Sequence, residues 1–221
     1  MPKSALITGS TDPRGIGFTA AFLLASQHGF NVILSGRRQD TLDAAVVTLG
    51  DKLATTGRPS TGSVSSLLLD VTEKSSISSA VAQLSLKDGP LAASGGVLDV
   101  LINNAGVGAP PGRGGKGSNN MFLQTELTTS ADMVSVLTTN VAAVVEVTNS
   151  MIPLLAKSAH PRIVNVSSAR GSLGFASGLE PARTGAMVYN ASKAALNMVT
   201  VMQSKNLSVF ARESHEAASR G

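Results

Sequence analysis

Ala5-Leu6-Ile7 is a short apolar run that Thr8-Gly9 brings to a stop. From Ile16 onward the apolar positions recur at helical spacing, through Phe18, Ala21, Phe22, Leu24 and Ala25. A strand, a glycine-bearing turn and a helix therefore open the chain. The same change of period then repeats. Residues 31–35 read as a second strand, and residues 39–53 as an amphipathic helix through Leu42, Ala45, Val46 and Leu49. A Gly, Ser and Thr-rich linker over 55–63 leads to a third strand at 64–69 and a helix at 75–84. Residues 87–96 form a loop, a fourth strand covers 97–102, a long helix 131–155 and a fifth strand 163–166. Strands separated by helices cannot pair as tight hairpins, and each crossover returns the next strand parallel to the last. The expected fold is α/β: a doubly wound parallel sheet in a single domain over residues 1–221, without internal repeats.

The turn at 8–17, TGSTDPRGIG, sits between the first strand and the first helix. Glycines at 9, 15 and 17 let the backbone turn sharply and approach a pyrophosphate, whose charge a helix N-terminus stabilises. The second strand ends in Gly36-Arg37-Arg38. An acidic residue after this strand would accept the ribose hydroxyls of NAD, whereas guanidinium groups suit the 2′-phosphate of NADP. One charge-assisted hydrogen bond contributes roughly 1.5–3 kcal/mol, so Arg37 or Arg38 predicts a preference for NADP of about tenfold to a hundredfold. Arg14, just before the second glycine, is in reach of the same phosphate.

Composition narrows the remaining classes. The chain has 221 residues, with 43% hydrophobic but only 3% aromatic, so its core is built from Ala, Val, Leu and Ile. It has no cysteine, which removes disulfides and thiolate chemistry, and His28, His160 and His215 are too scattered for a metal site. A net charge of +4 without basic clusters interleaved with aromatics argues against nucleic acid. No signal-peptide pattern or apolar run of about 18 residues is evident, so a cytoplasmic protein without a membrane partner is expected.

Tyr189, the single tyrosine, precedes Lys193 by four residues. On a helix this spacing places both side chains on one face. An adjacent ammonium favours the phenolate, so the pair suits proton exchange with a substrate oxygen.

Taken together, these residues resemble the short-chain dehydrogenase/reductase family, whose members have a single Rossmann domain. The resemblance rests on a TGxxxGIG-like turn at 8–17, Asp70-Val71, NNAG at 103–106, Asn140, Ser167-Ser168 after the fifth strand, and YxxxK at 189–193. It implies that Tyr189 is the general acid-base, that Lys193 holds the nicotinamide ribose and tunes Tyr189, and that Ser168 hydrogen-bonds the substrate oxygen. It further implies that Asn140 positions a proton-relaying water. Gly9, Arg14, Gly15, Ile16, Gly17, Arg37 and Arg38 would line the phosphates, Asp70 and Val71 the adenine, and Asn104, Ala105 and Gly106 the adenosine ribose. The implied activity is NADP-dependent interconversion of a carbonyl and a secondary alcohol, in a homodimer or homotetramer.

Three departures from the family pattern stand out. Five residues separate Gly9 from Gly15 where three are usual, so Asp12-Pro13 is expected to bulge. Twenty residues separate Ser168 from Tyr189, with 178–185 resembling an insertion. After Leu207 and Phe210 comes a polar tail, 212–221, where the family continues into a sixth and a seventh strand. The C-terminal part of the sheet is thus expected to be missing, leaving the fifth strand with an open edge. A second reading follows from this: a catalytically weak NADP-binding form or regulatory protein.

Overall fold

The computed structural model describes residues 1–56, 62–113, 127–179 and 185–218, with side chains described up to residue 207. Most of the linker expected at 55–63 and of the insertion expected at 178–185 lies outside these residues. Five strands follow in chain order: β1 (Ser4–Ile7), β2 (Asn31–Gly36), β3 (Val64–Leu68), β4 (Val100–Asn103) and β5 (Arg162–Asn165). Between the first four run α1 (Ile16–His28), α2 (Gln39–Ala54) and α3 (Lys74–Leu84). The sheet order is β3-β2-β1-β4-β5. Its pairs β1/β2, β1/β4 and β2/β3 are parallel, with Ala5 opposite Val32 and Val100. This order, which reverses direction at β1, opens a crevice beyond the strands' carboxyl ends.

By packing, the chain divides into two compact units, one from Met1–Ala105 with Glu146–Val164, the other from Gly106–Val145 with Asn165–Val209. In the first, β1 and β2 are buried along their whole length, as strands covered on both faces must be. Their Leu6 and Ile33 pack with Leu67, Ile77, Leu84, Leu98, Leu101, Val147, Met151 and Leu154 in one aliphatic core. The helices are stopped by local chemistry. Gly29 ends α1 in the left-handed conformation, φ 65°, which costs glycine least.

In the second unit, α4 (Ser130–Leu137) starts with a capping box: the Thr129 hydroxyl accepts from the Asp132 N–H, and the Asp132 carboxylate accepts from the Thr129 N–H at 2.8 Å. It is followed by a π-helical turn, Thr138–Ala142, and then by α5 (Ala143–Leu155), which from Glu146 onward belongs to the first unit. A short helix α6 (Leu173–Ser177) precedes α7 (Met187–Ala218), which is 32 residues long.

Several expectations need correction. Strand β4 begins at Val100 rather than at residue 97; the Leu98 N–H instead donates to the Leu154 carbonyl. The predicted helix over 131–155 contains the π turn at its middle. Residues 130–155 also form a helix long and apolar enough, at mean hydropathy 1.3, to cross a membrane by length and composition, although Val147, Met151, Leu154 and Leu155 belong to the core. The polar segment from 212 continues α7 as helix to Ala218, consistent with the high helix propensity of its Ala and Glu residues. Strand β5 stands at the edge of the sheet, as the open edge expected of it requires, with Arg162 exposed and Val164 45% exposed.

Candidate active site

The first unit collects its candidate residues at the carboxyl ends of β1 to β4. Gly9 follows β1 with φ 61°, and a Cβ there would stand 2.8 Å from the Ala105 Cα. Only glycine allows the turn to close on the end of β4. Gly17 is equally confined, since a Cβ would meet the Asn104 amide and the Ile7 side chain at 3.2 Å. The expected bulge is present and closed: Asp12 accepts from the Arg14 N–H through Oδ1 at 3.0 Å and from the Gly15 N–H through its carbonyl at 2.8 Å. Gly15 caps α1 without a side-chain hydrogen bond, so the first-turn N–H groups of α1 remain open to an anion.

Thr8, which sequence reasoning left out of the site, organises this corner. It is 2% exposed, and its Oγ1 accepts from the N–H groups of Asn104 at 2.9 Å and Ala105 at 3.0 Å. Asn104 returns its side-chain amide to the carbonyls of Thr8 and Gly9, each at 2.9 Å. The turn is also knitted to β2, where the Ser35 N–H donates to Ser10 Oγ at 3.0 Å. Beyond β2, Arg38 is engaged in a bidentate pair with Asp40 at 3.1 and 2.5 Å, which holds the Asp40 carboxyl below its usual range. Arg37 is exposed and has no ion pair among the described residues. Arg14 leans on Asp12 at 3.4 Å and is 92% exposed. After β3, Asp70 Oδ1 accepts from the N–H and hydroxyl of Thr72.

The second unit holds the candidate proton-transfer groups. Tyr189 and Lys193 share one face of α7, as their spacing predicts, with Lys193 Nζ 5.7 Å from the Tyr189 ring centroid. Nζ donates to the Val166 carbonyl at 2.7 Å. Lys193 is 6% exposed, and burial pushes its ammonium below the usual lysine range. Asn140 lies in the π turn, a feature frequent at functional sites, and is 1% exposed. Its Oδ1 accepts from the Val107 N–H at 2.8 Å, while Nδ2 donates to the Val107 carbonyl and to Ser192 Oγ, both at 2.9 Å. Ser192 in turn donates to the Tyr189 carbonyl at 2.7 Å. Sequence reasoning missed Ser192, although its place directly before Lys193 was a signal. Ser168 Oγ accepts from the Arg170 N–H at 3.2 Å, which leaves its hydroxyl proton free to donate.

The parallel sheet, with its glycine turn and open helix N-terminus after β1, is of the Rossmann type. The family model for short chain dehydrogenases matches residues 3–209. The chain belongs to this family.

Among its relatives, short-chain dehydrogenase anuI of Penicillium roqueforti is 28% identical over 208 residues, covering 91% of this chain and 71% of that protein. The (+)-neomenthol dehydrogenase of Arabidopsis thaliana is 33% identical over 181 residues, covering 78% and 55%. The chain thus spans from just over half to under three quarters of the length of these relatives. An NADPH-bound carbonyl reductase from chicken fatty liver matches with TM-score 0.69 at 30% identity, over 95% of this chain and 76% of that one.

Proposed function

We propose that this chain is an NADP-dependent oxidoreductase that interconverts a carbonyl and a secondary alcohol, with Tyr189 as general acid-base. The observation that carries the reading is the Tyr189-Lys193 pair, with Lys193 buried and its Nζ held by the Val166 carbonyl beside the phenol ring. The residues present fit the cofactor: the N-terminus of α1, without a side-chain cap, suits its phosphates, and Arg37, which has no ion pair among the described residues, suits a 2′-phosphate. Gly9, Gly15, Ile16 and Gly17 would hold the pyrophosphate, Asp70 and Val71 the adenine, and Asn104 to Gly106 the adenosine ribose. When bound, NADP supplies the hydride chemistry.

The chain's own residues supply the proton. During reduction the Tyr189 hydroxyl gives its proton to the substrate oxygen, and in oxidation it takes the proton back. Ser168, whose oxygen already accepts a backbone N–H, donates its hydroxyl proton to the same substrate oxygen and stabilises charge developing there. Asn140 holds the strand-exit backbone at Val107 and orders the proton path to Lys193. The reading takes residues 1–221 as a single NADP-binding domain and places it in the cytoplasm. Exposed Val134, Met198, Val201 and Met202 on α4 and α7 support a homodimer or homotetramer.

The test is NADPH consumption with a panel of ketones and aldehydes, after a fluorescence titration with NADPH and NADH. Saturable binding that favours NADPH, with turnover on at least one carbonyl, is the expected result. The exposed edge strand β5 favours a second reading, an NADP-binding protein with weak turnover; binding without turnover across the panel would select it.

A further inference from the structure

Ser168 holds a substrate oxygen usefully only if its segment is stationary against α7, which carries Tyr189 and Lys193. That segment is short, comprising the end of β5 and a single 3₁₀ turn, Ala169–Gly171. Such a turn has little rigidity of its own. What fixes it is Asn197, a side chain outside the motif. Asn197 follows Lys193 by four residues and therefore stands one turn further along the same face of the helix. Its Oδ1 accepts from the Ser167 hydroxyl at 2.6 Å, and its Nδ2 donates to the Gly171 carbonyl at 3.3 Å. Ser167 Oγ also lies 3.5 Å from the Lys193 carbonyl.

These contacts bracket Ser168 on both sides. At the far side the fit depends on the absence of a side chain: Gly171 is buried, and a Cβ there would stand 2.6 Å from the Lys193 carbonyl carbon. The loop is thus pressed onto the helix backbone at Lys193 itself, with the Asn197 amide as its polar fastening.

We propose that Asn197 is a positioning residue that sets Ser168 against Tyr189 by fastening Ser167 and Gly171 to α7. The inference rests on the role assigned to Ser168 above. A displacement of about 1 Å in a reacting group can cost on the order of a hundredfold in rate. Losing these two hydrogen bonds, each of modest net worth, allows that displacement without unfolding the helix.

The experiment compares Asn197→Ala, Ser167→Ala and the double variant, each alone and on a Ser168→Ala background, in the full chain. Hydrogen exchange of the 168–172 amides reports the fastening without requiring turnover. It should accelerate about tenfold in Asn197→Ala, and Ser167→Ala, the milder change, should move it in the same direction. For carbonyl reduction, Asn197→Ala should lower kcat about tenfold while NADPH affinity stays within about twofold, and the Ser167→Ala/Asn197→Ala pair should fall no further than the worse single variant. On the Ser168→Ala background Asn197→Ala should cost little more, because the group it positions is already gone. An equal loss with and without Ser168, or unchanged exchange at 168–172, overturns the proposal. Full turnover in Ser168→Ala alone, or an absence of turnover in the parent chain, instead overturns the functional reading, and the exchange result still decides whether the fastening exists.

Discussion

The glycine turn after β1 and the polar face of α7 are held in opposite ways. At Gly9 and Gly17 the structure depends on atoms that are missing, because the end of β4 occupies the space where a Cβ would stand. Around Tyr189 it depends on atoms that are present: Asn140, Ser192 and Lys193 are buried polar groups whose hydrogen bonds hold Val107, Tyr189 and Val166. The first region should therefore fail when a methyl is added and the second when an oxygen or nitrogen is removed. A backbone fitted by shape tolerates polar changes elsewhere. A buried polar network tolerates none of its members being left unpaired.

The largest effect is expected from the smallest deletion. Tyr189→Phe removes one oxygen and should cut turnover about 10²- to 10⁴-fold, while NADPH titrates as in the parent. Retention of more than a tenth of the parent rate would remove Tyr189 from the chemistry. In the first region, Gly9→Ala should lower the unfolding free energy by about 2–4 kcal/mol, from a positive φ and an overpacked contact. Gly50→Ala is its control: no atom lies within 4 Å of a Cβ placed there, in the interior of α2, so urea denaturation should show a gain of about 0.5–1 kcal/mol. If both glycines respond alike, the turn is not confined as described. Asn140→Leu should cost about 1–3 kcal/mol, because it orphans the N–H and carbonyl of Val107. Arg37→Ala should lose more of the NADPH-over-NADH preference, about tenfold, than Arg38→Ala, since Arg38 is already committed to Asp40.

What was legible in the sequence follows the same divide. The strands, the turn and the Tyr189-Lys193 face could be read because apolar period, glycine sterics and helical spacing act over a few residues. The Asn140 network could not, since it joins residues 33 and 52 positions apart. Nor could the π turn, whose one-residue change of spacing is invisible within an apolar helix. Nor was the Arg38–Asp40 pair legible, because only the start of α2 brings the two side chains together. The segment after 212 reads as a tail by its polarity, whereas the helix propensity of its alanines and glutamates carries α7 on to Ala218.

Lys193 offers the smallest and most specific test of the polar region. Burial lowers its folded pKa below the ordinary 10.5. The unfolded chain therefore holds the Lys193 proton more tightly than the folded one. Between the lowered folded value and 10.5 the unfolded state binds more protons, so stability must rise with pH through that window and stay level below it. Lys193→Met has no such titration. Urea denaturation of both proteins, without cofactor, from neutral pH towards 10.5 should show the parent gaining stability relative to Lys193→Met as the pH rises. Because every other titrating group is common to the pair, the difference isolates Lys193. A difference that does not change with pH would mean that Nζ is as well solvated in the folded chain as in the unfolded one. The bond to the Val166 carbonyl would then be a surface contact, and the polar region would lose the burial that distinguishes it from the exposed start of α2.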